Sequence, residues 1–439
     1  HKLPIATRPI VGSMEAVTYQ PSKLVDLLLQ PVIRYFPSIL LNSLELNRHL
    51  TLYNFPKNSH IFSADVSALY PNIDIEDGLT ALKIAIEKYN TLVDVHDTID
   101  TDFVLVLTTW VLNNNYMTFG DSKWKQISGT AMGTPLAVVF ANLYLLVLEW
   151  ETIDILKTTH KQFYSPLVLF VRFIDDIFVI STSKESGMEF LNTFNTRRPR
   201  IKLEITTGDS VDFLDLTIYK IETETYLQLG ITLYQKKINK YLYIPPFSYH
   251  ARAVFKAFIE AEIRRYKICN SEEKNFQNIV EQFKTRLIVR GYQWYKIESF
   301  FYSNTKTRLE LLFNDECKKY YETLRQLPID TADNFKEFLP FRKTIQQNND
   351  AVMPLLFKIP NTPRFTTQQL NAHLNNKAFH DQFASDQFPN ATEQFKSQPI
   401  LCKTRTTKIR DFLIRSKLKR DLPTNFNNNI ATTTNSNNN

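Results

Sequence analysis

The sequence predicts an α+β fold in several subdomains, and three observations carry that reading. Residues 135–150 (PLAVVFANLYLLVLEW) are almost continuously apolar over helical length, the pattern of a buried helix. Residues 167–181 (LVLFVRFIDDIFVIS) set two β-prone runs on either side of an Asp-Asp pair, which is a hairpin signal. Beyond a series of short strands, the apolar period returns to 3.6 from residue 250 onward. A chain of 439 residues has the length of about three domains.

Composition narrows the class. Hydrophobic residues make up 43% and charged residues 22%, which excludes a wholly disordered chain, a collagen-like fibre and a minimal disulfide scaffold. Three widely spaced cysteines (Cys269, Cys317, Cys402) form neither a disulfide framework nor a zinc knuckle, and fit a reducing compartment. No apolar run reaches the roughly 18–20 residues of a bilayer span, so no transmembrane helix and no membrane partner are expected. Lys+Arg 52 against Asp+Glu 45 gives a net charge of +7, and with 13% aromatic residues this suits a nucleic-acid groove, although rings more often serve as core. The chain begins at His1 with no signal-peptide pattern, so its N-terminus reads as incomplete.

The elements follow in order. Residues 1–60 mix short apolar runs with proline and basic residues. Residues 78–89 read as an amphipathic helix after an acidic first turn, and 103–112 as a second helix. Residues 202–206, 213–219 and 226–234 read as strands. Residues 250–266 form a helix with Phe255, Phe258, Ile259 and Ile263 on one face and Lys256, Arg264 and Arg265 supplying positive charge. A second helix, 275–290, is closed by Gly291. A basic block over 403–420 follows a Gln/Asn/Pro-rich stretch, and the last 19 residues, with 8 Asn, read as disordered.

Three carboxylates carry the chemistry. Asp65 ends an apolar stretch (HIFSAD), the pattern of a strand delivering a carboxylate to its end, and Asp175 and Asp176 sit at the tip of the hairpin 110 residues later. Buried like charges repel unless a cation neutralises them. A pair of Mg²⁺ ions about 4 Å apart does so in in-line phosphoryl transfer. Taken alone, an Asp-Asp pair is ordinary turn chemistry and Asp65 an ordinary strand end. Between them, residues 126–135 (QISGTAMGTP) place two of only nine glycines, Gly129 and Gly133, before the buried helix. Alone that is a helix start, and a Walker A loop is excluded because GK[ST] is missing.

The order of these segments resembles the palm motifs of reverse transcriptases. Asp65 to Tyr70, then Gln126, Gly129, Met132, Gly133 and Pro135, then Phe173 to Asp176, then Phe213 to Leu216 match successive motifs in order over residues 1–235. Arg8-Pro-Ile-Val near the start and Arg172 to Phe178 (RFIDDIF) give the likeness a subfamily, the Penelope-like elements. It extends through Arg265, Cys269, Asn270, Arg290 to Tyr292 and Arg410 to Leu418.

The resemblance implies a right-hand polymerase. Fingers would span 1–64, the palm 65–240 with an interleaved fingers segment at about 80–125, and a helical thumb 245–330. An extension, 331–420, would carry the basic block as further grip or nuclear-localisation patch, ahead of the 421–439 tail. Asp65, Asp175 and Asp176 would be catalytic and, with the Val66 carbonyl, hold two Mg²⁺, with Mn²⁺ able to stand in. Arg8, Tyr70, Gln126 and Lys202 would meet the dNTP: Arg8 on the triphosphate, Tyr70 as the gate against a ribose 2′-OH, Lys202 as proton donor to pyrophosphate. Gly129, Gly133, Phe213, Leu214, Lys256, Arg264 and Arg265 would contact template and primer, with Phe213–Leu216 as a turn gripping the primer backbone. The implied partners are an RNA template, a DNA primer, their RNA–DNA hybrid and dNTPs, in the nucleus after cytoplasmic synthesis.

Two features depart from the family pattern. Phe173 stands where many members have Tyr, and no GIY-YIG endonuclease follows, so the chain reads as a member without the nuclease or as a truncated one. A domesticated or telomere-associated reverse transcriptase, and a catalytically silent nucleic-acid-binding remnant, are the alternatives.

Overall fold

The computed structural model describes residues 12–329 apart from 15, 120, 121 and 237, together with two short strands further along the chain. The chain divides into two units, His1–Ile345 and Gln346–Asn439. The first begins with helices α1 (Tyr19–Tyr35) and α2 (Ser43–Leu52), strands β1 (Phe55–Pro56) and β2 (His60–Val66), and a short α3 (Leu69–Asn72). Helices α4 (Ile75–Leu92) and α5 (Thr101–Asn113), the hairpin β3 (Tyr116–Phe119) and β4 (Ser122–Lys125), α6 (Pro135–Thr159) and a short α7 (Lys161–Tyr164) come next. Then follow β5 (Leu167–Phe173), β6 (Asp176–Ser181), α8 (Lys184–Thr196), β7 (Leu203–Gly208), β8 (Ser210–Phe213), β9 (Leu216–Glu222) and β10 (Tyr226–Leu233). Helices α9 (Arg252–Ile268), α10 (Glu273–Val289), α11 (Trp294–Phe301), α12 (Arg308–Leu312) and α13 (Asp315–Leu324) complete it. In the second unit β11 (Leu356–Ile359) pairs in parallel with β12 (Ile400–Lys403). Apart from those two strands, the expectations for Arg8, the 331–420 extension and the 421–439 tail lie outside the described residues.

The mixed helix and strand content agrees with the α+β expectation. One antiparallel sheet has the order β5-β6-β2-β7, and a second runs β1-β10-β9-β8. Period-two alternation decides what each face of β2 meets. Phe62, Ala64 and Val66 enter a core shared with α1, α4, α6 and α8, whereas Ile61 enters a second core with α2 and the second sheet. Asp65 is therefore in phase with Ile61 and Ser63, and the Ser63 hydroxyl donates to the Asp212 carbonyl of β8 at 2.9 Å.

Helix α4 starts three residues earlier than the sequence suggests because Asp74 caps it, accepting from the N–H groups of Glu76 and Asp77 at 3.1 and 3.2 Å. Helix α6 runs nine residues past the expected Trp150, to Thr159. The added turns carry charge, and Glu151 takes a bidentate pair from Arg198 at 2.8 and 3.0 Å. Within the 25-residue α6 an 18-residue stretch has a mean hydropathy of 1.6, so by length and composition it could cross a bilayer, contrary to the expectation that no apolar run is long enough. Eighty-three per cent of that stretch is buried inside the protein, the situation of a core helix.

The expected strand 213–219 is instead two strands. Phe213 pairs with Leu216, so Leu214 and Asp215 form a two-residue turn between β8 and β9. No glycine marks that turn; Leu214 itself takes φ +56°. The expected helical segment 245–330 also divides. Helices α9, α10 and α11 share a core of Ile259, Ile263, Tyr266, Phe283, Leu287 and Phe301, on the face given by periodicity. The chain then returns to the main body, where Arg48 Nε donates to the Leu312 carbonyl at 2.6 Å and the Tyr53 hydroxyl to that of Tyr321 at 3.2 Å.

Candidate functional site

Sheet pairing brings the three carboxylates together. Asp65, the last residue but one of β2, lies directly opposite Asp176, the first of β6. Phe173 pairs with Asp176, so the β5–β6 turn consists of Ile174 and Asp175 alone, and Asp176 is a strand residue rather than part of the tip. The Val66 N–H donates to the Asp175 carbonyl at 3.0 Å, and the Ser67 N–H to that of Lys202 at 2.8 Å. These bonds tie the end of β2 to the turn on one side and to the approach to β7 on the other.

Like charges directly opposite each other in a ladder destabilise it. The effect is visible at Asp176, whose carboxyl is raised from 3.8 to about 6 by burial, then by Asp175 and Asp65, with Lys236 working against the rise. Burial and the Asp175 charge also push the Tyr70 hydroxyl up.

Backbone strain gathers at the same place. Among the described residues four non-glycines have positive φ, and two of them adjoin the carboxylates along the chain: Ala68 at +51° and Ile174 at +53°. For a β-branched residue such as Ile174 that conformation is a genuine outlier. Strain of this kind costs about 1–3 kcal/mol per residue and clusters at functional sites.

A second wall is built from the segment before α6. The Thr130 N–H donates to the Tyr70 carbonyl at 2.9 Å, and Gly129 sits at φ +71° against the same peptide. A Cβ at Gly129 would lie 2.5 Å from the Tyr70 carbonyl oxygen and 2.6 Å from Pro71 Cα, so only glycine permits the approach. Gln126 donates its main-chain N–H to the Asn115 carbonyl and its Nε2 to the Ser128 carbonyl, both at 2.9 Å. Its Oε1, like Thr130 Oγ1, is shielded from water and accepts no hydrogen bond among the described residues. Gly133 is exposed, its carbonyl taking the Ser13 hydroxyl at 2.8 Å.

The remaining expected residues lie in varied settings. Lys202 is exposed, with its carbonyl bonded to β2 as described. Phe213 is buried with its ring 5.6 Å from that of Phe178, so its side chain belongs to the core. Leu214 is half-buried. Lys256 pairs with Glu260 at 3.8 Å, Arg264 is exposed, and Arg265 bonds Asp215 and Glu262, each at 3.1 Å. Arg265 thus joins α9 to the β8–β9 turn.

Sequence reasoning did not single out Glu204 for the site. It lies opposite Asp65 on β7 and accepts the Ser67 hydroxyl at 3.0 Å, which extends the acidic row across three strands. The alternation of LEITTG, with Glu204 on the exposed phase, is the signal that finds it.

Among the described residues, no group of three or more His, Cys, Asp or Glu side chains is drawn together as a ready metal cage. The donor set still fits a hard divalent cation. It offers carboxylate oxygens, and Asp176 is held toward its protonated form by burial and then by the Asp175 and Asp65 charges, which a cation would offset. Mg²⁺ takes few protein carboxylates and completes its shell with substrate phosphate and water, so a full protein cage is not required.

No family model matches the chain, and no curated protein matches it either. Solved structures do. A telomerase from Candida albicans, solved with a fragment of telomeric RNA, shares 14% identity over 77% of this chain and 58% of its own, at a TM-score of 0.44. An apo telomerase from Candida tropicalis shares 11% over 76% and 61%, at 0.37. The RNA-dependent RNA polymerase of bacteriophage phi12 shares 13% over 70% and 46%, at 0.37. The chain therefore spans about half to three fifths of the length of these proteins.

Proposed function

We propose that this chain is an RNA-directed DNA polymerase that transfers nucleotides from dNTPs to a primer 3′-OH. The observation that carries the reading is the placing of Asp65 opposite Asp176, with Asp175 in the adjoining turn, beside the Tyr70–Gly129 contact. Asp65, Asp175 and Asp176 would hold the ions, with help from the Val66 carbonyl. Bound there, two Mg²⁺ would activate the hydroxyl nucleophile and stabilise the leaving pyrophosphate. Tyr70 would close the pocket on the side of the sugar 2′ position. The unpaired Oε1 of Gln126 would accept from the incoming nucleotide or template, since a buried acceptor asks for a donor. Lys202 would protonate pyrophosphate. The main chain of the Phe213–Leu216 turn would hold the primer, with Lys256 and Arg264 meeting hybrid phosphates.

The finer reading is a Penelope-like retroelement enzyme working in the nucleus. A domesticated or telomere-associated enzyme would use the same chemistry at another primer end. The retained Asp65, Asp175 and Asp176 set and Tyr70 speak against a silent remnant. Extension of a DNA primer on an RNA template, with dNTPs or NTPs and Mg²⁺, tests the proposal. Elongation with dNTPs is expected; elongation with NTPs alone, or none on any template, overturns it.

A further inference from the structure

We propose that Arg172 is a positioning residue for this reaction: its buried guanidinium fixes the Ile174 carbonyl and thereby the place of Asp175. The inference rests on the polymerase reading of the site. Arg172 is 0% exposed and its partner Glu149 1%, so the pair is taken wholly out of water. A buried ion pair is often no more stable than well-packed apolar residues, so stability alone does not account for it.

The donors of the guanidinium divide between the core and the turn. Nε bonds Glu149 Oε1, Nη2 bonds the Asn142 carbonyl at 3.0 Å, and Nη1 bonds Asn142 Oδ1 at 2.8 Å. Nη1 also donates to the Ile174 carbonyl at 2.8 Å, the one bond that leaves the core for the catalytic turn. The other Glu149 oxygen takes the Ser38 hydroxyl at 2.8 Å. The Arg172 main chain is clamped too, donating to Ser38 O and accepting from Leu40 N, both at 2.7 Å. A network satisfied at every member is rigid.

Ile174 is also the strained residue, at φ +53°. Its carbonyl belongs to the peptide that joins it to Asp175, and turning that peptide is how the turn would relax. The Asp175 carbonyl in turn accepts from Val66 N–H at 3.0 Å. A continuous line thus runs from α6 through Arg172 and the turn to the end of β2, beside Asp65.

The test uses Arg172→Lys, which keeps a cation beside Glu149 but lacks the fork that reaches Ile174. In metal-free protein, hydrogen exchange at the Val66 amide is expected to speed up about tenfold or more while Phe178 and Ile180 in the same sheet keep their protection. The kcat for nucleotide addition is expected to fall about tenfold or more with the nucleotide KM within about twofold, the mark of a displaced catalytic group. Asn142→Ala leaves the Glu149 pair intact and is expected to show both changes at smaller size; it decides the matter if Arg172→Lys does not fold. Wild-type kcat and Val66 protection in a folded variant overturn the proposal, as does exchange rising equally at Phe178 and Ile180. Should the wild type add no nucleotide, the polymerase reading fails while the exchange result still judges Arg172.

Discussion

Replacing Asp176 with asparagine in the metal-free protein keeps the side-chain shape and removes one charge from the acidic row. Burial, Asp175 and Asp65 raise this carboxyl from 3.8 to about 6, so the folded state prefers it protonated. Its contribution to stability is therefore complete below the unfolded value of 3.8 and is lost as pH rises through about 6. The full rise corresponds to about 3 kcal/mol. Screening by solvent at this partly open site reduces that to about 1–2 kcal/mol. Urea unfolding of both proteins from pH 4 to 8 in chelator measures it. Asp176→Asn is expected to be the more stable by about 1–2 kcal/mol near pH 7.5, with the advantage shrinking toward pH 4. Added Mg²⁺ is expected to stabilise the wild type more than the variant. A variant that is no more stable at pH 7.5, or a difference that ignores pH, would refute the electrostatic reasoning.

Other expectations follow from the same geometry. Tyr70→Ala is expected to relax the preference for dNTPs over NTPs by about tenfold or more, read from single-nucleotide extension. Gly129→Ala puts a Cβ against the Tyr70 carbonyl at a positive φ, and is expected to cost about 1–3 kcal/mol in urea unfolding. Affinity for an RNA–DNA hybrid is expected to fall by about 10²-fold or more between 50 and 200 mM salt, and a flat salt profile would contradict phosphate-led binding.

What could be read from the sequence follows from the range of the interactions involved. The alternation of HIFSADV exposes the strand and its terminal carboxylate, because side-chain period is a local property. The apolar period of α9 and its charge were legible for the same reason. The β8–β9 turn was legible from the family resemblance, which puts a turn at Phe213–Leu216, but not from residue pattern. Leu214 adopts a left-handed conformation without glycine, held by partners that only the folded chain supplies: Tyr234 N–H on the Asp215 carbonyl and Arg265 on its carboxylate. The length of α6 was missed because the turn just past Trp150 is charged, with Glu151 held by Arg198, far along the chain. Arg172 stood in a recognisable string, yet its role depends on Asn142 and Glu149, 30 and 23 residues away on another element. The return of α12 and α13 to Arg48 and Tyr53 has no local signal at all.

The central claim is that Asp65, Asp175 and Asp176 form one metal-dependent nucleotidyl-transfer site. Single-turnover extension of a DNA primer on an RNA template, comparing wild type with Asp175→Asn in Mg²⁺, tests it most directly. Loss of one ligand charge is expected to slow the chemical step by about 10³-fold or more while hybrid binding is unchanged. Extension by Asp175→Asn at the wild-type rate would contradict the account.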